Sequence, residues 1–229
     1  MPSTADMPAL RAVGGTNKQL SEAVADAITN AIAQGAIQPG ERLVEEMIAA
    51  QLSVSRVPLR EAIRTLEAQG IVVVTLNRGA RVVAMDESTI AHVQEARIAL
   101  ETVAARGAIR AIRREPRLLE PMQDAVDMMR TAKRRLDWTA LRRCDVQFHR
   151  ELCLASGNDV ILKLWEALSR HITIIFGREI EQEHNFDVVI AEHERLMDLL
   201  AQGSPTIEKD MEEHILRLGM GSGRFRGAD

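Results

Sequence analysis

A chain of 229 residues with 46% hydrophobic and 27% charged side chains has enough apolar content to bury a core, which excludes a long disordered chain. The formal charge of -4 argues neither for nor against nucleic acid as a partner, so its distribution along the chain matters more. With no Tyr, four Phe and two Trp, base stacking on exposed rings is disfavoured, and so is an all-β architecture.

Residues 1–16 mix Pro, Gly, Ala and Thr without a period and read as a flexible arm. This start has no cationic stretch followed by an apolar core, so no signal peptide is expected. From Lys18 to Gln34 the apolar residues Leu20, Val24, Ala27, Ile28 and Ile32 recur at helical spacing, and Gly35 and Pro39-Gly40 mark the stop and turn. The longest uncharged stretch, Ala27 to Gly40, carries Asn30, Gln34, Pro39 and two glycines, which excludes a membrane span there.

A second helix is expected from about Val44 to Leu52, with Met47, Ile48 and Leu52 inward. Ser53-Val54-Ser55 breaks it. A third follows from about Arg56 to Gln69, with Ser55 as N-cap, Pro58 in the first turn and Gly70 as stop. Then the period changes. Ile71 to Val74 and Ala80 to Val83 are short β runs around an Asn77-Arg78-Gly79 turn, predicting a two-stranded hairpin.

After Asp86 the β signal disappears. Residues 86–114 are helical in period, and further helices are expected at roughly 117–135, 138–155, 159–181, 187–202 and 205–218. Breaks fall at Ser156-Gly157-Asn158 and Gln202-Gly203-Ser204-Pro205, and a flexible tail is expected at 219–229. The reading is therefore mostly α: a winged helix-turn-helix over 17–85, made of three helices and a hairpin, followed by an all-α antiparallel bundle over 86–218. The two cysteines, Cys144 and Cys153, fit reduced thiols of a cytoplasmic protein.

In a winged helix-turn-helix the later helix of the pair enters the DNA major groove. Here Val57, Ile63 and Leu66 can face inward. Arg56, Arg60 and Arg64 then recur every four residues as one outward stripe. Residues 55–81 hold five arginines against two glutamates, a local +3. Arginine's planar fork chelates phosphate or a guanine edge. Arg78, at the hairpin tip, would reach the flanking groove or backbone.

The segment PGERLVEEMIAAQLSVSRVPLREAIRTLEAQGIVVVTLNRGARVV resembles the DNA-binding domain of GntR-type bacterial transcription regulators, over about Leu20 to Val83. The resemblance implies DNA contacts at Arg42, Arg56 and Arg60, with Ser55 in the same motif, and places Gly79 near the minor groove. Two departures are Ser53, where a glycine usually closes the turn, and Val57, where threonine is usual.

Residues from about Asp86 to Leu218 resemble the FCD ligand-binding domain of the FadR-like branch of that family, through Arg97-Ile98-Ala99-Leu100-Glu101, Asp145-Val146-Gln147-Phe148-His149, Glu192-His193 and Met211-Glu212-Glu213-His214. Spacing alone puts Asp145 and His149 within ~40° around a helix and ~6 Å along it, so both can grip one ion. It leaves open that His193 and His214 are surface residues on glutamate-rich faces. The family pattern, matched at all four positions, implies one divalent transition-metal ion per chain, Zn²⁺ or Ni²⁺.

By the same resemblance Arg97 would pair with an effector's carboxylate, although Glu101 four residues on could claim it as a salt bridge. His171 could line the pocket or be an ordinary helix histidine. Cys153 is read as a small core residue. The expectation is an effector-responsive repressor: a homodimer on a palindromic operator in double-stranded DNA, sensing a small organic acid beside the metal. Two alternatives stand at this point. One is a metal-dependent hydrolase using the same Asp/His set, disfavoured by the lack of HExxH or a phosphate loop. The other is a regulator with no metal and a non-carboxylate effector.

Overall fold

The computed structural model describes residues 16–183 and 185–219. The arm expected at 1–16 and the tail expected at 219–229 lie outside the described residues except for Thr16 and Gly219. The chain divides into two compact units, meeting in sequence at Asp86–Glu87.

The first unit opens with α1 (Asn17–Ala33), and Thr16 is its cap. The Thr16 hydroxyl accepts from the Gln19 N–H while the Gln19 side chain reaches back to the Thr16 N–H, a reciprocal capping box. Next come β1 (Arg42–Leu43), α2 (Glu45–Leu52), α3 (Arg56–Ala68), β2 (Val72–Thr75) and β3 (Gly79–Val82). The sheet has three antiparallel strands in the order β1-β3-β2. Its third strand was not expected. The turn after Pro39 carries the chain back to the hairpin, where the Gly40 N–H donates to Val82 O at 2.8 Å and the Val82 N–H to Glu41 O at 3.0 Å.

Val24, Ile28 and Ile32 of α1 meet Leu59, Ile63 and Leu66 of α3 in the core, with Ile48, Leu52, Leu43, Ala80 and Val82 around them. Two inward expectations fail. Val57 is 58% exposed, because it lies in the first turn of α3 on the side of the arginines. Met47 is 40% exposed, because α2 spans only eight residues and turns Ile48 and Leu52 inward. Ser55 occupies the N-cap position of α3 with extended backbone, but its side chain makes no capping hydrogen bond. Ser53, the departure noted at the turn, takes the left-handed conformation (φ 54°) that favours glycine, at a cost of about 1 kcal/mol.

The second unit is helical throughout: α4 (Glu87–Ile112), a 3₁₀ turn at Pro116–Leu119, α5 (Glu120–Arg135), α6 (Trp138–Ala155), α7 (Asp159–Glu183), α8 (Phe186–Gln202) and α9 (Ile207–Gly219). The helix expected at 117–135 thus begins as a 3₁₀ turn and becomes regular at Glu120, with Pro121 in its first turn. α4 packs against α6, α7, α8 and α9 and forms the middle of the bundle. Gly107 lets α6 close onto it, since a Cβ there would lie 3.0 Å from the Ser156 Cβ and carbonyl oxygen. The inward stripe of α4 runs Val93, Arg97, Glu101, Ala104, Ala105, Ala108 and Ile112, so two charged residues occupy core positions.

Candidate functional site

In the first unit, packing Leu59, Ile63 and Leu66 inward forces Arg56, Arg60 and Arg64 onto the outer face of α3, where all three are exposed. Arg42 on β1 and Gly79 at the start of β3 join Arg56 and Arg60 around a cavity of about 280 Å³, together with Glu45 and Glu46 of α2. Gly79 is needed there twice. Its φ is +76°, and a Cβ would press to 3.2 Å from Arg42 Nε. Arg78 is exposed in the β2–β3 turn and Ser55 is exposed ahead of α3. Neither of them, nor Arg64, lines the cavity. The two glutamates were not singled out from the sequence, because an acid on a basic face has no motif to mark it.

In the second unit the four candidate metal ligands converge from three helices. Asp145 and His149 come from α6, His193 from α8 and His214 from α9, and all are 0–1% exposed. Each occupies the inward stripe of its helix, beside Phe148 and Leu152, Val189 and Leu196, or Met211 and Ile215. The three imidazoles offer ring nitrogens within 4.8 Å of one another. The Asp145 Oδ1 lies 3.1 Å from His193 Nε2 and 3.9 Å from His149 Nε2.

The far side of two rings is fixed. His193 Nδ1 lies 2.8 Å from Val189 O, so Nδ1 carries the proton and donates it to the carbonyl. His149 Nδ1 lies 2.6 Å from Glu101 Oε2, off the line of a hydrogen bond, and a proton on Nδ1 relieves the clash of two lone pairs at that distance. Both Nε2 atoms then present lone pairs toward the cluster. Neither Asp145 oxygen nor His193 Nε2 makes a well-aligned hydrogen bond. His214 Nε2 is 3.2 Å from His149 Nε2. Such a buried convergence of lone pairs is repulsive unless a cation or shared protons lie among them. Three imidazoles and one carboxylate fit a divalent transition metal by number and by type.

Glu101 is the residue that sequence reasoning undervalued. Fully buried, its Oε1 accepts from Arg97 Nε at 2.7 Å and from Trp165 Nε1 at 2.7 Å. Burial alone would raise its pKa, but Arg97, then His149 and the Trp165 N–H, outweigh burial and hold it down at about 2. Asp145 is likewise held below the usual carboxylate range, with His193, His149 and Arg97 overcoming its burial. Burial pushes His149 below its ordinary value, and burial with the neighbouring imidazoles pushes His214 further. Arg97, 5% exposed, makes the salt bridge to Glu101, and its Nη2 stands 4.0 Å from Asp145 Oδ2. His171 is half-buried on α7 and outside the histidine cluster. Cys153 is fully buried and also outside it, and burial pushes its thiol up.

Comparison with known proteins bears on both units. Residues 20–82 match the bacterial regulatory proteins of the gntR family, and residues 92–217 match the FCD domain. The chain is 28% identical over 201 residues to a probable D-xylose utilization operon transcriptional repressor of Paenarthrobacter nicotinovorans, covering 88% of this chain and 85% of that one. It is 33% identical over 138 residues to the gluconate operon transcriptional repressor of Bacillus subtilis, covering 60% and 55%. In fold it is similar to the E. coli McbR/YncC structure (TM-score 0.73, 19% identity, 86% and 93% covered) and to a putative GntR regulator of Rhodococcus sp. RHA1 (0.66, 24%, 86% and 92%). These families and relatives are transcription regulators and not enzymes, which removes the hydrolase alternative. Among the described residues no helix is long and apolar enough to cross a membrane. The chain belongs to the GntR family of bacterial transcription regulators and carries that family's winged helix-turn-helix together with an FCD domain.

Proposed function

We propose that this regulator is a cytoplasmic repressor that binds a palindromic operator as a homodimer and releases it when a small carboxylic acid binds beside a metal in the helical unit. The observation that carries the sensing half is the buried cluster of His149, His193, His214 and Asp145, in which both Asp145 oxygens and His193 Nε2 are left without a hydrogen bond. Those four residues would hold one divalent ion, Zn²⁺ or Ni²⁺. Bound there, the ion would supply a Lewis-acidic centre that attracts a carboxylate. Arg97 would meet the same acid through the terminal nitrogens that Glu101 leaves free, and His171 would line the approach on α7. Support for repression comes from the relatives, two of which are named as operon repressors. Gluconate, in one of those names, is itself a carboxylate.

In the DNA-binding half, Arg56, Arg60 and Arg64 would face the major groove. Arg42 and Ser55 would hold the flanking backbone, and Arg78 and Gly79 would lie along the adjacent minor groove. An acid that binds one arrangement of the dimer better than the other shifts the population and with it the operator affinity.

The test loads untagged protein with Zn²⁺ or Ni²⁺ and follows fluorescence anisotropy of a duplex selected by the protein from a random pool. Small carboxylic acids are then added one at a time. At least one should lower DNA affinity several-fold, and His149→Ala should bind the duplex but ignore the acid. If His149→Ala responds as the wild type does, the effector does not use this cluster.

A further inference from the structure

The cavity between α2, α3 and the wing holds an ion pair for which the DNA-reading assignment has no use. Glu45 opens α2 and Arg60 follows fifteen positions later on α3, and Glu45 Oε2 accepts a hydrogen bond from Arg60 Nε at 3.0 Å. Both side chains are partly exposed, at 40% and 63%, and both border the about 280 Å³ cavity that Arg42 and Arg56 also line. A carboxylate in that position opposes a polyanionic partner, because its charge repels the phosphates that the arginines attract.

The geometry offers a compensation. Arginine donates from Nε and from two terminal nitrogens in one rigid plane. With Nε committed to Glu45, the plane of the guanidinium is set by a second helix, and the Nη1/Nη2 edge lies outside that bond. That terminal edge is the one that chelates O6 and N7 of a guanine in the major groove. A long, exposed side chain would otherwise sample many rotamers and have to be ordered at the moment of binding.

We propose that Glu45 is a positioning residue for DNA recognition: it holds Arg60 so that its terminal edge reads one guanine in each half-site. Glu45 itself makes no contact with the DNA. The proposal rests on α3 being the recognition helix, and it assigns base reading to Arg60 in particular among the exposed arginines.

The two possible roles of Glu45 predict opposite signs. As a mere solvated charge, its removal tightens binding to every duplex. As a positioning residue, its removal loosens binding to the selected sequence alone. The experiment uses the full-length protein, a duplex selected by the wild type from a random-sequence pool, and a scrambled duplex of equal length. Glu45→Ala should weaken the selected duplex by about 5- to 30-fold, leave the scrambled one unchanged or tighter, and relax the preference at a single G·C pair. In an Arg60→Ala background the same change should cost nothing further. Glu45→Gln keeps an acceptor oxygen of the same reach, so it should fall between wild type and Glu45→Ala and serve as the reading if the alanine variant melts early.

Tighter binding of both duplexes by Glu45→Ala, or additive losses in the double variant, overturns the positioning role and leaves the recognition helix standing. Failure of the wild type to select any sequence, or an Arg60→Ala variant that binds like the wild type, instead overturns the recognition-helix reading beneath it.

Discussion

Arg60 and Arg97 are each paired with a glutamate across a short distance, 3.0 Å in one unit and 2.7 Å in the other, yet the two pairs do opposite work. The Arg60 side chain is 63% exposed and that of its partner 40%, whereas the side chains of Arg97 and Glu101 are 6% and 0% exposed. An exposed pair contributes little to stability. In a buried pair, removing one member strands the charge of the other. The first unit therefore keeps its charge available to a partner, and the second builds its charge into the fold around the histidines.

The largest expected effect breaks the buried side of that contrast. Glu101→Ala strands Arg97 and frees His149 Nδ1, and it should cost about 3–5 kcal/mol of stability in chemical denaturation. It should also weaken metal binding by about 10- to 100-fold, read by competition with a colorimetric chelator. A variant as stable as the wild type would mean that the network does not hold the bundle.

This network also marks where legibility from the sequence ended. The period-3.6 pattern located the helices to within a few residues, and turn chemistry located the wing. Arg97 and Glu101 were visible as an i,i+4 pair. What i,i+4 spacing cannot contain is the cross-helix partner, Trp165 of α7 at 64 positions' distance, or the closing of His149 over Glu101. The signal that was available is that Arg97 and Glu101 continue the inward stripe of Val93, Ala104 and Ala108. Strand β1 was missed for a related reason. Two residues carry no alternation, and only the pairing with Arg81 and Ala80 makes them a strand.

Next in size is the ion itself. With Zn²⁺ or Ni²⁺ at a thousand times its dissociation constant, wild-type protein should gain about 4 kcal/mol, seen as a higher melting temperature that a chelator reverses. His214→Ala should show neither the gain nor the reversal. An equal shift in the variant would place the ion elsewhere.

A matched pair of substitutions sharpens the comparison between units. Arg60→Ala should lower affinity for a selected duplex by at least about tenfold while changing stability by no more than about 0.5 kcal/mol. Arg97→Ala should do the reverse, lowering the melting temperature with non-specific DNA binding intact. Similar profiles for the two would dissolve the distinction.

The smallest expected effect is a pH dependence confined to the metal-free protein. Burial lowers the pKa of His149 and His214 from the ordinary 6.5, so the folded chain keeps them neutral where the unfolded chain takes up protons. Their contribution is complete above about pH 6.5 and is lost as the pH falls below it, because the unfolded state then binds more protons. Melting temperature should decline from about pH 7.5 to about pH 5.5, and His149→Ala should flatten that slope. A slope unchanged in the variant would assign it to other groups.

The near-complete burial of the histidine cluster has a temporal consequence. Asp145, His149, His193 and His214 are 0–1% exposed, and the rings of His149 and His193 are pinned from behind. Donors buried this deeply leave no open route from solvent to the cluster. The proposed ion would have to wait for the helices to part. Loading and stripping should then proceed at the rate of that local opening, and doubling the chelator should not hasten the loss. If the proposed ion sits there, it would persist through brief swings in supply while a faster-moving effector comes and goes.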